Sequence, residues 1–188
     1  MTRIMERNDT IMTSRRIVGF DIRDRIESNN ITSIDCNIWP ESQIKTEIDS
    51  QNNGFNLFDS LDESIVDASV RENASIVAFD IPRDLATALS PTFGLEPLPI
   101  EYLFKRGEWL FLGYDIVDVR TQCSAIYSFD IKRERLEELL SDAAIELNQY
   151  GLIENQAQSF DLSAIFDKLF PEHSPFTPCG IHVAKSIG

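Results

Sequence analysis

Two short stretches place carboxylates at the same spacing: Gly19-Phe20-Asp21-Ile22-Arg23-Asp24 and Gly113-Tyr114-Asp115-Ile116-Val117-Asp118. Aspartates gathered at strand ends can hold a divalent cation or move a proton. Asp21, Asp115 and Asp118 are therefore candidates for a small carboxylate- or metal-dependent hydrolase or transferase. Spacing limits that chemistry. In a strand, neighbouring side chains leave opposite faces, so the two aspartates of one copy lie on opposite faces and cannot share a metal or a proton. Only a meeting of the two strands would bring Asp21 and Asp115 together. The copies start 94 positions apart (113 − 19), but their flanks differ, and the helical pattern after the second has no counterpart after the first. The echo is read as two sheet strands with Asp at the solvent boundary, and not as a duplication.

Other catalytic signatures are missing. The chain has no Gly-rich phosphate loop, nucleophile elbow, zinc-protease helix or dinucleotide fingerprint. Cys179 and His182 have a ligand-like spacing, with His173 nearby, yet a structural zinc needs four ligands. A small apolar Cys and a surface His in a tail explain them better. Cys123 lacks the helix N-terminus that would activate a thiol, and reads as a buried strand residue. No catalytic residue, metal site or cofactor is expected.

Charge is more informative. There are 31 acidic against 17 basic side chains, a net charge of −14. Such a field repels nucleic-acid backbones and anionic lipid and suits a basic partner. Two regions concentrate it. Glu134, Glu138, Asp142 and Glu146 recur every fourth residue, a column of like charge that costs an isolated helix a few tenths of a kcal/mol per pair. Arg133–Glu137 and Arg135–Glu138 offset part of this near the start. Between residues 41 and 67 seven acids face one lysine, and Phe55, Leu57 and Phe58 stand among them. Aromatic anchors with an acidic rim suit an interface for a basic protein. Phe55, Phe58, Asp59, Asp62, Glu63 and the helical column are thus the candidate partner-binding residues; the alternatives are a solvated helix face and aromatics packed on the core.

Three cysteines without paired spacing, no apolar N-terminal run and no membrane-length segment point to a cytoplasmic chain with reduced thiols. A loose leader over 1–13 is expected to precede one domain over 14–188. Strands are expected over 15–24, with Val18, Phe20 and Ile22 on one face, and over 31–39, 74–81, 108–119 and 121–131. The stretch over 108–119 is apolar on both faces, Trp109, Phe111 and Val117 on one and Leu110, Leu112, Tyr114 and Ile116 on the other, like a central strand. A short last strand falls over 181–184. A long amphipathic helix is predicted over about 132–150, stopped by Gly151. Shorter helices follow Ser60 (a capping box with Glu63), Pro82 and Asp161, and 90–100 reads as a loop. Without a regular βαβ alternation, the fold class is α+β, with a mixed or antiparallel sheet.

The run Gly107 to Asp130, with an aromatic-rich strand "WLFLGYDIVD" and a small-residue strand "SAIYSF", resembles the central segment of bacterial immunity proteins of contact-dependent growth inhibition and related polymorphic toxin systems. The resemblance implies a cytosolic, non-enzymatic protein that binds one toxin C-terminal domain, often a basic nuclease, and blocks it. It covers about an eighth of the chain and carries no inhibitory motif. An adaptor for some other basic partner is the third reading.

Overall fold

The structure is a computed structural model that describes residues 15–24, 57–70, 74–120, 123–126 and 131–187. Among these residues six strands form one antiparallel sheet: β1 (Arg15–Asp24), β2 (Ala74–Pro82), β3 (Leu98–Pro99), β4 (Gly107–Asp118), β5 (Cys123–Ser124) and β6 (Phe176–Ile187), in the order β3-β1-β2-β6-β4-β5. Among the described residues five helices accompany it: α1 (Leu61–Ala68), α2 (Arg83–Phe93), α3 (Glu101–Arg106), α4 (Arg133–Asp142) and α5 (Gln156–Leu169). The class is α+β, as the sequence implies. The expected strand over 31–39 and leader over 1–13 lie outside the described residues.

Apolar burial explains the layering. One sheet face carries Ile17, Phe20, Ile76 and Ala78 under Leu61 of α1 and Leu103 of α3, and further along Tyr114, Ile116 and Phe176 under α4 and α5. The other face carries Val18, Val77, Phe79, Leu112, Cys179 and Ile181 under Ala86, Leu85 and Leu89 of α2. No helix among the described residues is long and apolar enough to cross a membrane.

Several expected elements differ. The tail is a 12-residue strand at the sheet centre, not a short addition. Pro178 and Gly180 hide it in the sequence, since both residues are rare in central strands. β4, in turn, lies next to the edge strand. Helix α2 runs through Pro91 and stops where Gly94 turns left-handed (φ 63°), so the expected loop begins later. Ser60 caps α1 as expected, but it accepts from the Asp62 amide rather than closing a box with Glu63. Helix α5 starts earlier than expected, with Asn155 as its cap, accepting from Ala157 and Gln158, in place of Asp161.

The long helix is shorter than its periodicity. It stops at Asp142, and Ala144 turns left-handed (φ 51°). The Ala144 amide donates to Ser141 O (3.0 Å) and the Ile145 amide to Leu140 O (2.8 Å), which is the Schellman pattern. Leu140 and Ile145 pack in the same cluster, the apolar contact that accompanies this stop. Burying Ile145 and bringing Leu147 to Ile153 outweigh the remaining helical repeat.

The repeated hexamer is a repeat of structure. In β1 the register against β2 slips between Ile17 and Gly19; in β4 it slips against β6 between Phe111 and Gly113. Each glycine has positive φ (155° and 139°) at this bulge. The next residue pairs through its backbone with a separate segment: Phe20 with Phe58, and Tyr114 with Ile153. Asp21 and Asp115 each accept from the amide that follows, at 2.8 and 2.7 Å. A Cβ on Gly19 would lie 2.5 Å from Leu57 Cβ, and one on Gly113 2.8 Å from Leu152 Cβ. Two residues beyond the bridging Phe58 and Ile153 come the caps Ser60 and Asn155, each opening a helix that leads to the partner strand. Strand β1, helix α1 and strand β2 therefore share one plan with β4, α5 and β6. These two halves join through β2 and β6, where Phe79 pairs with its own counterpart Ile181. This corrects the sequence reading, in which the flanks argued against equivalence.

The bulges also correct the faces. Val18 turns away from Phe20 and Ile22 toward Leu57, and Phe111 lies on the Tyr114 face, its ring 4.9 Å from the tyrosine ring. Counting by twos fails across an inserted residue.

Candidate functional site

Helix α4 places its acids as the four-residue spacing requires. Leu136, Leu139 and Leu140 are buried, and Glu134, Glu137, Glu138 and Asp142 are exposed. Arg133 donates to Glu137 (3.0 Å) and Arg135 to Glu138 (2.9 Å). Glu146, exposed, lies beyond the helix end, so the expected column of four is a column of three with a fourth acid on the following turn.

That turn is held by Asn148. Its Nδ2 donates to Leu112 O (2.8 Å), and its Oδ1 accepts from the Tyr150 and Leu152 amides (2.9 and 3.1 Å). Gly151 (φ 70°) completes the reversal, and the Leu152–Ile153 backbone then docks on the β4 bulge. Two adjoining clefts result. One, about 770 Å³, lies between α4, the turn and the start of α5, with Glu137, Glu146 and Glu154 around Leu140, Ile145 and Leu147. The other, about 590 Å³, is lined by Phe111, Leu112, Gly113, Asn148, Tyr150 and Glu154. Among the described residues neither is lined by a Lys, Arg or His.

The second expected region is less exposed than its sequence suggests. Phe58 is buried (5% exposed) and its backbone pairs with Phe20, so it is no surface anchor. Leu57 is fully buried, filling the space left by Gly19. Phe55 lies outside the described residues. Asp59 is half-buried, and Glu63 is exposed on α1. Asp62 pairs with Arg106, whose guanidinium also bonds Tyr102 Oη. The apolar residues that do reach solvent here are Val66 and Val70 (69% and 81% exposed), off the Leu61–Ile65–Ala68 face.

The candidate aspartates do not gather. β1 and β4 are separated by β2 and β6, and the register sets Asp21 level with Leu110, so Asp21 and Asp115 are more than the roughly 14 Å of three strand spacings apart. Neither is at a solvent boundary: Asp21, Asp115 and Asp118 are all buried. Asp118 faces His173 Nδ1 (3.0 Å) and accepts from the Arg120 amide. Asp115 accepts from Ser124 Oγ (2.9 Å), and burial, only partly opposed by that bond and the Ile116 amide, pushes its pKa up to about 7. No group of three or more potential metal ligands occurs among the described residues.

What the sequence did not signal is a charged cluster at the sheet centre. Asp80 of β2 is held by Arg15 Nε at one oxygen and by His182 Nε2 at the other (2.6 Å). Arg15 also donates to Asp80 O (3.0 Å) and Pro178 O (2.8 Å), and its guanidinium lies 4.9 Å from the centre of the Tyr114 ring. Gly180 faces the carboxylate; a Cβ there would lie 2.8 Å from Asp80 Cγ. Burial alone would raise the Asp80 pKa, but Arg15 and His182 outweigh it and hold the carboxyl below its usual value. His182, expected at the surface, is thus a core residue, and Cys179 leaves β6 on the opposite face. Burial pushes the Cys179 thiol well up, which makes it a poor nucleophile.

The chain matches no family model, no curated protein and no solved structure.

Proposed function

We propose that the protein is a non-enzymatic immunity protein that binds and neutralises a cognate, basic toxin domain, such as a nuclease, through an acidic surface. The observation that carries this reading is the surface formed by α4 and the turn after it. Exposed Glu134, Asp142, Glu146 and Glu154 lie there beside two clefts that no basic side chain lines among the described residues. A solitary domain has no stability reason to collect acids at a helix C-terminus, where they oppose the helix dipole. A cationic partner resolves the conflict, steering association by charge while apolar contacts set the lifetime of the complex. The three aspartates of the hydrolase alternative are held apart by the sheet, which leaves that reading without an assembled centre.

The test is a pull-down of the tagged protein from its native strain at low and high salt, with the recovered domain then expressed alone and with this chain. A salt-weakened complex with a toxic C-terminal domain, and rescue of growth on co-expression, are expected. Rescue failing with the recovered domain would overturn the reading. Glu138→Lys with Asp142→Lys should slow association at low salt; an unchanged rate would move the interface off α4.

A further inference from the structure

The two halves differ at their outer edges. In the first, the edge of β1 is covered by β3, with Arg16 opposite Pro99 and Ile17 opposite Leu98. The register fixes the counterparts in β4: Arg16 and Ile17 pair with Ile81 and Asp80 on β2, as Leu110 and Phe111 pair with Val183 and His182 on β6. Among the described residues no strand covers that second edge. β5 and Ala125 after it cover β4 from Ile116 to Asp118, and the turn reaches it at Tyr114 through its backbone and at Leu112 O through Asn148, which leaves Leu110 and Phe111. The consequence is visible in burial. Ile17 under β3 is 1% exposed, and Phe111 at the matching place is 38% exposed.

Phe111 also lines the smaller cleft, which joins the larger one through Asn148 and Glu154. The edge at Leu110 and Phe111, uncovered among the described residues, therefore opens onto an acidic groove with an apolar floor.

We propose that an extended, basic segment of a protein partner adds to β4 at Leu110 and Phe111 as a further antiparallel strand, as β3 adds to β1. Backbone hydrogen bonds along the edge supply affinity, and alternate side chains supply specificity. An apolar residue in the place of Leu98 covers Phe111, and a Lys or Arg beside it meets Glu154 and Glu146. The identity of the partner as a toxin domain rests on the immunity reading; the strand addition itself does not.

The probe is a synthetic hexapeptide with the sequence of Glu96 to Glu101 and lysine in place of both glutamates. It is titrated into the isotopically labelled full chain and followed by backbone amide shifts. Saturable changes confined to residues 110–113 and 146–154 are expected, with an affinity on the order of 1 mM. Glu154→Lys should weaken binding about tenfold, and Asp84→Lys on α2, exposed and away from both clefts, should leave it unchanged. Equal losses in both variants, shifts spread over α1, or no saturable shift would overturn the proposal. With the toxin domain in hand, hydrogen exchange over residues 108–113 should slow in the complex. Slowing only elsewhere overturns the strand addition and spares the immunity reading, whereas peptide binding without any toxin rescue does the reverse.

Discussion

Asp80 and His182 occupy equivalent places in the two halves of the sheet and meet across the join, with His182 Nε2 2.6 Å from Asp80 Oδ2. The correspondence extends outward. Arg15 reaches across to the Tyr114 ring, and Trp109, the counterpart of Arg15, reaches back to within 6.4 Å of Phe20, the counterpart of Tyr114. One plan thus carries a buried charge cluster on one side of the join and an aromatic pair on the other.

Asp80→Asn leaves Arg15, 3% exposed, without its anion. Breaking a buried pair from one side costs about 3–5 kcal/mol, because the surviving charge stays desolvated. Urea denaturation should show this loss. The double variant Asp80→Asn with Arg15→Met should recover part of it, and no recovery would mean that the pair is not what holds the centre.

Asp115 gives a pH dependence of unusual sign. Its folded pKa of about 7 lies above the unfolded value, so the folded chain binds the extra proton. Its contribution is fully present below about pH 4 and is lost as pH rises through about 7, on the order of 4 kcal/mol for three units. Asp115→Asn keeps an acceptor for Ser124 and removes the charge. Its melting temperature should exceed the parent's at pH 8, by about 2–4 °C per kcal/mol gained, and approach it at pH 4.5. Equal differences at both pH values would refute the assignment. Asp80 works the other way, with stability lost only as pH falls below the ordinary carboxylate range.

Ala144 ends α4 in a left-handed conformation (φ 51°) that favours glycine. Ala144→Gly should stabilise the chain by about 1 kcal/mol, measured by denaturant midpoint at unchanged slope. A loss would mean that the helix continues past Asp142 in solution.

The bulge glycines predict matched losses. Alanine at Gly19 or Gly113 must take a positive φ and meet the Cβ of Leu57 or Leu152. Each should cost roughly 2–4 kcal/mol from backbone strain and overpacking together. Gly94 is the control for space, since a Cβ there meets nothing within 4 Å. An equal loss at Gly94 and Gly113 would show that packing against the docked segment is not what matters.

Local pattern was enough for much of the chain. The apolar runs of β1, β2 and β4, the Ser60 cap and the leucine face of α4 follow from periodicity and capping chemistry, because each depends on residues a few positions apart. The acidic excess and its concentration around α4 were equally legible, since charge adds without regard to fold. What the tertiary structure decided depends on residues far apart in the chain. The docking of Leu57 and Leu152 selects the bulges and so reverses which side chains share a face. Burial of Ile145 stops a helix that its own repeat would continue. The pairing of β2 with β6 carries a proline- and glycine-containing tail into the sheet centre and brings Arg15, Asp80 and His182 together from three strands. No spacing rule spans the 102 positions between Asp80 and His182, so their contact exists only once the sheet has formed.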